Sequence, residues 1–285
     1  NYKIPSMAEI EKVEKKFSVL STFSGGGGSC LGYKMAGGNL LVANEFIPEA
    51  QSTYRLNFPD TKLLTGDIRS LKGKDFLDAA GLRTGELDIF DGSPPCSAFS
   101  TAGKRSEGWG KVKKYSSTKQ VVDDLFYEYA RLVSEIQPKT FIAENVKGLT
   151  MGTAKGYLKE IIGCLRMCGY NVRLKVLNSY NYGVPQSRER LIIVGGRKDI
   201  EKQFIYPRHT PRHVLRDAIL DLETKTFKPT SRSCLSELMK MKEGDKSEKY
   251  FSLVRAKFNK PCPTLTTMGF SGAQVAHPIE NRFFT

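Results

Sequence analysis

Phe17-Ser-Val-Leu-Ser-Thr-Phe23, followed by Ser24-Gly25-Gly26-Gly27-Gly28-Ser29, is the stretch that decides the fold. The first seven residues read as a buried strand, the next six as a glycine turn, and Cys30 to Ala36 as the start of a helix. Leu40-Leu-Val-Ala-Asn-Glu45 then reads as a second strand ending in an acid. A glycine turn lets the backbone come close to a ligand, and the first N–H groups of the helix behind it can receive a negative group.

The alternation continues outward. A third unit ends at Thr65-Gly66-Asp67-Ile68, and a fourth strand, Leu87 to Phe90, leads to Gly92-Ser-Pro-Pro-Cys96. A helix over 121–136 precedes the strand Thr140 to Ala143. A helix over 157–167 precedes the strand Asn171 to Leu177, and Leu191 to Gly195 is a further strand. Strands alternating with helices predict an α/β fold, a Rossmann-like sheet of parallel type with helices on both faces. After Gly196 the alternation stops, and residues 197–281 are rich in Lys, Arg, Pro, Thr and Ser. This predicts a large domain over 1–196 and a small irregular region over 197–281.

Composition bounds the partners. The chain has 285 residues, with 44 Lys and Arg against 30 Asp and Glu, a net charge of +14. Such an excess suits a polyanion, most often nucleic acid, though a basic soluble protein is the plainer reading. There is no run of about 18 apolar residues, so no membrane span is expected. Residues 1–16 are polar and charged and do not read as a secretory leader. The six cysteines form no CxxC pair, and Pro211 between His209 and His213 argues against a helical metal pair, so no metal is expected. A reduced, cytoplasmic setting fits.

Four groups of residues carry chemistry. Two prolines fix two backbone angles ahead of Cys96 and hold it in a rigid turn, a mounting suited to a nucleophile; a buried inert thiol is the alternative. Glu45 lies 18 residues beyond Gly27 and can accept from ribose hydroxyls, and Asp67 can accept from an adenine amino group; a solvated strand end or a helix cap would explain either acid equally. The GxGxxG pattern is absent, so a nucleoside cofactor without a pyrophosphate fits. Glu144, directly after a strand, can meet Cys96 above the same sheet edge and hydrogen-bond a substrate; it could also belong to a helix N-cap. Arg188 and Arg190 would share a face if extended and could bind phosphate or a base carbonyl, or form an ordinary surface charge run.

Phe23-Ser-Gly-Gly-Gly-Gly28, Glu45, Gly66-Asp67-Ile68, Pro94-Pro95-Cys96, Glu144-Asn145-Val146 and Gln186-x-Arg188-x-Arg190 together resemble, in order and spacing, the C5-cytosine DNA methyltransferases. The resemblance implies an S-adenosylmethionine-dependent enzyme, with S-adenosylhomocysteine as product and no metal, acting on double-stranded DNA in a restriction-modification setting. It implies that Cys96 attacks C6 of a flipped cytosine as thiolate, that Glu144 contacts the N3 edge, and that Arg188 and Arg190 support the base and its phosphate. The cofactor would be held by Phe23, Ser24, Gly25, Gly27, Gly28, Glu45, Phe46, Asp67, Ile68, Pro95 and Leu125. Residues 97–120 resemble the mobile loop, so Ser97, Lys104, Arg105, Lys111 and Lys113 would meet DNA. Residues 197–281 would be the target-recognition region, with Thr264 and Leu265 in its Thr-Leu stretch.

Three departures accompany the resemblance. Ser97 stands where glutamine is usual. The four glycines predict an unusually flexible cofactor turn. Residues 282–285 resemble only the opening of the next family segment, so a second polypeptide or a missing C-terminal segment is expected to complete the cofactor pocket. A bacterial cell, with the protein at the nucleoid, or the host cell of a virus is the expected location. The other readings are a non-catalytic DNA-binding relative, a tRNA cytosine methyltransferase and a thiol hydrolase. The first would bind DNA without methyl transfer, and the second lacks the Cys-Phe-Thr tripeptide of the RNA-acting branch.

Overall fold

The computed structural model describes residues 4–95, 113–115, 118–120, 124–152, 154–201, 204–219, 232–250, 252–265 and 274–284. Two compact units emerge. The larger holds 5–176 and 190–206; the smaller holds 177–189 and 207–285, with the first four residues.

The larger unit is a seven-stranded sheet. Its strands are β1 (Phe17–Thr22), β2 (Gly38–Asn44), β3 (Lys62–Leu64), β4 (Ile89–Gly92), β5 (Thr140–Val146), β6 (Tyr170–Asn178) and β7 (Glu189–Arg197). Their order across the sheet is β3-β2-β1-β4-β5-β7-β6. The pairs β3/β2, β2/β1, β1/β4 and β4/β5 are parallel. β7 runs antiparallel to β5, with Ile192 opposite Glu144. The expectation of a parallel sheet therefore holds for five strands and is corrected at the sixth. Leu191 to Gly195 is an apolar run that suits a buried strand of either direction.

Side-chain alternation builds one core on each face. Val19 points to the side of α2 (Gly28–Met35) and α3 (Pro48–Asn57), where it meets Cys30, Leu40, Ala43, Tyr54 and Phe58. Leu20 points to the other side, into a larger core with Phe76 of α4 (Gly73–Ala80), Tyr129 of α5 (Leu125–Ile136) and Ile161 of α6 (Ala154–Met167). The helix predicted over 121–136 is described from Leu125, behind Asp124.

The expected boundary at 196 lies instead after Tyr206. The Tyr206 hydroxyl donates to the Ile192 carbonyl (3.1 Å), and Arg173 Nη1 donates to the Phe204 carbonyl (3.2 Å), so 204–206 stays on the larger unit. The segment 177–189 joins the smaller unit through Gln186–Ser187, which pairs in parallel with Cys262–Pro263. A second short parallel pair joins Val254–Arg255 to Val275–Ala276. At the centre of this unit the buried Arg255 guanidinium donates to the carbonyls of Leu238, His277, Ile279 and Glu280 and to Asn281 Oδ1. No helix among the described residues is long and apolar enough to cross a membrane.

Candidate active site

Strand order reverses between β1 and β4, and in open α/β sheets ligands bind beyond the carboxyl ends of the strands at such a point. A cavity of about 160 Å³ lies there, lined by Phe23, Asn44, Glu45, Phe46, Ile47, Ile68, Ser93 and Pro95. Five of the residues expected at the cofactor, Phe23, Glu45, Phe46, Ile68 and Pro95, are thus brought together by the ends of β1, β2 and β4 and the loop after β3.

The glycine turn is tied at each link. Phe23 itself has φ +53°, a left-handed conformation uncommon for a bulky residue, and it turns the chain out of β1. Ser24 is buried, its N–H donating to the Asn44 carbonyl (3.1 Å). Gly25 N–H donates to Glu45 Oε2 (2.7 Å), and Asn57 Nδ2 donates to the Gly26 carbonyl (3.0 Å). Gly27 N–H closes a turn onto the Ser24 carbonyl (2.9 Å). Gly25 (φ +55°) and Gly27 (φ +93°) use the left-handed region that glycine alone enters at no cost. Gly28 opens α2 in open space. The turn expected to be unusually flexible is therefore held by side chains from two other elements.

Glu45 is buried just beyond β2, and its other oxygen accepts from Ile47 N–H (2.8 Å). A carboxylate has about four acceptor sites, so this leaves capacity for a ligand hydroxyl. Asp67 lies in the loop beyond β3 rather than at its end. It accepts from Arg69 N–H (3.0 Å) and pairs with the Arg69 guanidinium, which also holds Asp124 Oδ2 (2.8 Å) ahead of α5. Leu125 is buried in the core and does not line the cavity.

Cys96 lies outside the described residues, as do Ser97, Lys104, Arg105 and Lys111; for Lys113 only the backbone is described, in a short strand over 113–115 paired with 118–120. The turn that leads to Cys96 is described up to Pro95. Asn145 Nδ2 donates to the buried Pro94 carbonyl (3.0 Å), which ties the proline turn to β5. Glu144, next to Asn145, sits inside β5 and not after it. Its Oε1 receives Arg190 Nε at 2.8 Å across the β5/β7 ladder. Arg188 belongs to the smaller unit, where its N–H donates to Asn178 Oδ1 (3.2 Å) and its carbonyl accepts from Ser179 N–H (3.0 Å). In that unit the Thr264 hydroxyl donates to the Ser187 carbonyl (2.8 Å), and Leu265 is exposed.

Sequence reasoning missed Asp91. This β4 residue is buried, and its carboxylate accepts from Ser21 Oγ (3.0 Å), Ser29 Oγ (2.9 Å) and Tyr33 OH (3.0 Å). Burial pushes its carboxyl up to about 6, opposed by the three hydroxyl donors. The Tyr33 hydroxyl is driven well above its ordinary range by burial and by that carboxylate. An acid inside an apolar strand was the available signal.

The family model described as C-5 cytosine-specific DNA methylase matches residues 17–271. The chain is 35% identical over 214 residues to the Type II methyltransferase M.NgoPII of Neisseria gonorrhoeae, covering 72% of this chain and 57% of that protein. It is 39% identical over 230 residues to the Type II methyltransferase M.AquIA of Picosynechococcus sp., covering 76% of this chain and 85% of that one. The chain thus spans little more than half the length of the first relative and most of the second. A prophage-encoded E. coli protein, named as a DNA modification methyltransferase, shares the fold with a TM-score of 0.74 at 21% identity, over 94% of this chain and 85% of that chain. With its glycine turn, Glu45, proline turn and Glu144-Asn145-Val146 strand in place, this chain belongs to the C-5 cytosine-specific DNA methylase family.

Proposed function

We propose that this protein methylates C5 of cytosine within a specific sequence of double-stranded DNA, as part of a restriction-modification system. The observation that carries the reading is the cavity at the β1/β4 reversal, whose lining unites residues from four separate motifs beside the turn that leads to Cys96.

The cavity suits S-adenosylmethionine. Phe23, Phe46, Ile47 and Ile68 offer apolar walls for a purine, Glu45 has spare acceptor capacity for ribose hydroxyls, and Gly25 and Gly27 keep the turn free of side chains. Bound there, S-adenosylmethionine supplies the methyl group. On the protein side, Cys96 forms a bond from its thiolate sulfur to C6 of the base, which raises electron density at C5. The Pro94-Pro95 pair, which precedes Cys96 in the chain, is tied to β5 by Asn145, a rigid approach that suits a nucleophile. Glu144 holds the N3 edge and the charge that develops there; Arg190, gripping Oε1, sets the carboxyl's orientation. Transfer of the C5 proton to water returns its electron pair to the ring, which re-forms the C5–C6 double bond, expels the sulfur from C6 and frees Cys96 as thiolate.

A cytosine in a duplex hides C6 within the stack, so the target must be extruded. The +14 charge supports the phosphate contacts this needs. Residues 197–281 would read the sequence, with Thr264 and Leu265 among the contacts. The five described cysteines are free thiols, in keeping with a reducing bacterial cytoplasm.

The test is transfer of labelled methyl groups from S-adenosylmethionine to duplex DNA and to tRNA, with wild-type protein and Cys96→Ser. Label in duplex DNA at C5, lost in the variant, is expected. Full transfer by Cys96→Ser would overturn the mechanism, and label in tRNA alone would overturn the substrate.

A further inference from the structure

The Asp91 carboxylate lies on β4 where Ile89, two residues earlier on the same face, packs as an ordinary apolar side chain. Three hydroxyls converge on it from two elements: Ser21 from β1, and Ser29 and Tyr33 from the first two turns of α2. Ser24 Oγ donates to Ser21 Oγ (3.0 Å), extending the network into the glycine turn. The Thr22 hydroxyl donates to the Asp91 carbonyl (3.2 Å), so side chain and backbone are both held. Two residues further along the chain, Ser93 lines the cavity, and Pro94 begins the turn that leads to Cys96. One buried group thus joins the glycine turn, α2 and the strand that feeds the nucleophile.

We propose that Asp91 is a positioning residue of the cofactor site: its buried carboxylate gathers Ser21, Ser29 and Tyr33 and so holds the glycine turn and α2 in the orientation that binds the nucleoside cofactor. This rests on reading the cavity as the S-adenosylmethionine site. Among the described residues, the titratable groups that face Asp91 are Cys30 and Tyr33 on α2, Tyr54 on α3, Tyr129 on α5 and Glu144 on β5, none of them cationic. A charge buried among such neighbours costs stability, and a neutral amide would sit there more comfortably. A local feature that opposes stability is what a functional site is expected to show. The charge also lies under the first turns of α2, where the helix dipole favours an anion.

Two measurements test this: binding of S-adenosylhomocysteine by calorimetry from pH 5 to 8, and the thermal midpoint of the same samples. Wild type is expected to bind, weakening as pH falls through about 6, because a neutral carboxyl accepts from the three hydroxyls more weakly than a carboxylate does. Asp91→Asn is expected to bind about tenfold more weakly at pH 7.5, the cost of losing hydrogen bonds to a charged acceptor, with no pH step and no lower midpoint. Tyr33→Phe, which removes one donor and keeps the ring, should weaken binding by a smaller factor. Asp91→Asn binding within twofold of wild type, with the wild-type pH step, would overturn the inference and leave the proposed activity standing. So would weaker binding matched by a collapsed midpoint, which would make Asp91 merely architectural. If Asp91→Asn does not fold, Tyr33→Phe decides: an intact midpoint with weaker binding supports the inference, and unchanged binding overturns it. No binding by wild type at any pH would instead sink the cofactor reading itself.

Discussion

The Glu45 carboxylate and the Gly25 backbone amide are joined at 2.7 Å, so the acid that ends the second strand unit anchors the glycine turn of the first. The same carboxylate takes Ile47 N–H with its other oxygen. It therefore serves the architecture, and the proposed cofactor site would give it a second role in binding. Glu45→Gln replaces one acceptor by an NH₂ that faces a backbone donor. The expected loss is about 1–2 kcal/mol of stability and on the order of tenfold in S-adenosylhomocysteine affinity, checked by urea melts and calorimetry. Unchanged affinity would show that the anchor does not shape the site.

Gly27 and Gly28 are adjacent but not equivalent. A Cβ on Gly27 would lie 2.0 Å from Phe58 Cε2, at φ +93°, whereas Gly28 has open space. Gly27→Ala should cost about 2 kcal/mol or more through strain and overpacking, and Gly28→Ala should be neutral or stabilising by up to about 1 kcal/mol. Thermal midpoints of the two variants check this; equal midpoints would refute it.

Asn145→Ala removes the donor to the buried Pro94 carbonyl. The expected cost is about 1–3 kcal/mol, because a buried acceptor is left unmade. The loss in methyl transfer should exceed the loss in cofactor affinity, since the turn it ties leads to Cys96. Parallel losses in both would argue for a general weakening of the fold.

Glu144 and Arg190 form a pair with side chains 34% and 23% exposed. A double-mutant cycle with Glu144→Gln and Arg190→Ala should give a coupling of about 1 kcal/mol or less, because solvent screens the pair. Methyl transfer by Glu144→Gln should fall by about a hundredfold or more, the scale of a positioned acid or base. A large stability coupling with little loss of activity would make the pair structural.

Asp91 sets a pH signature on stability. Its folded carboxyl stands near 6 against an ordinary 3.8, so the folded state holds the proton more tightly than the unfolded one. That contribution is fully present below 3.8 and is lost as pH rises through 6, up to about 3 kcal/mol. The midpoint of Asp91→Asn relative to wild type should therefore rise between pH 4 and pH 7. A difference that is flat with pH would refute it.

The amino-acid sequence made the site legible where backbone chemistry is local. The glycine turn was readable as a place where backbone approaches a ligand, and Glu45 as an acid at a strand end, though a solvated end or a helix cap would have explained that acid equally. Five of the expected cofactor residues line one cavity because the ends of β1, β2 and β4 and the loop after β3 meet there. Asp91 showed in the sequence only as an acid inside an apolar strand; its task was hidden because its partners Ser21 and Ser29 stand 70 and 62 residues away, one brought to it by the parallel β1/β4 register and the other by α2. The reversed direction of β7 was hidden because a strand buried on both faces carries no mark of its sense. The boundary after Tyr206 was hidden by the lack of pattern in 197–206, where isolated contacts at Phe204 and Tyr206, not an apolar face, hold the chain to the sheet.

The smaller unit is made from stretches that flank Arg190–Tyr206, joined where Cys262–Pro263 pairs with Gln186–Ser187 and Thr264 reaches the Ser187 carbonyl. Recombination between homologous genes with one breakpoint after codon 206 would set a foreign 262–264 against a native 186–187. A hybrid that inherits both stretches from one parent, around a sheet from the other, keeps that pairing and is the chimera expected to fold.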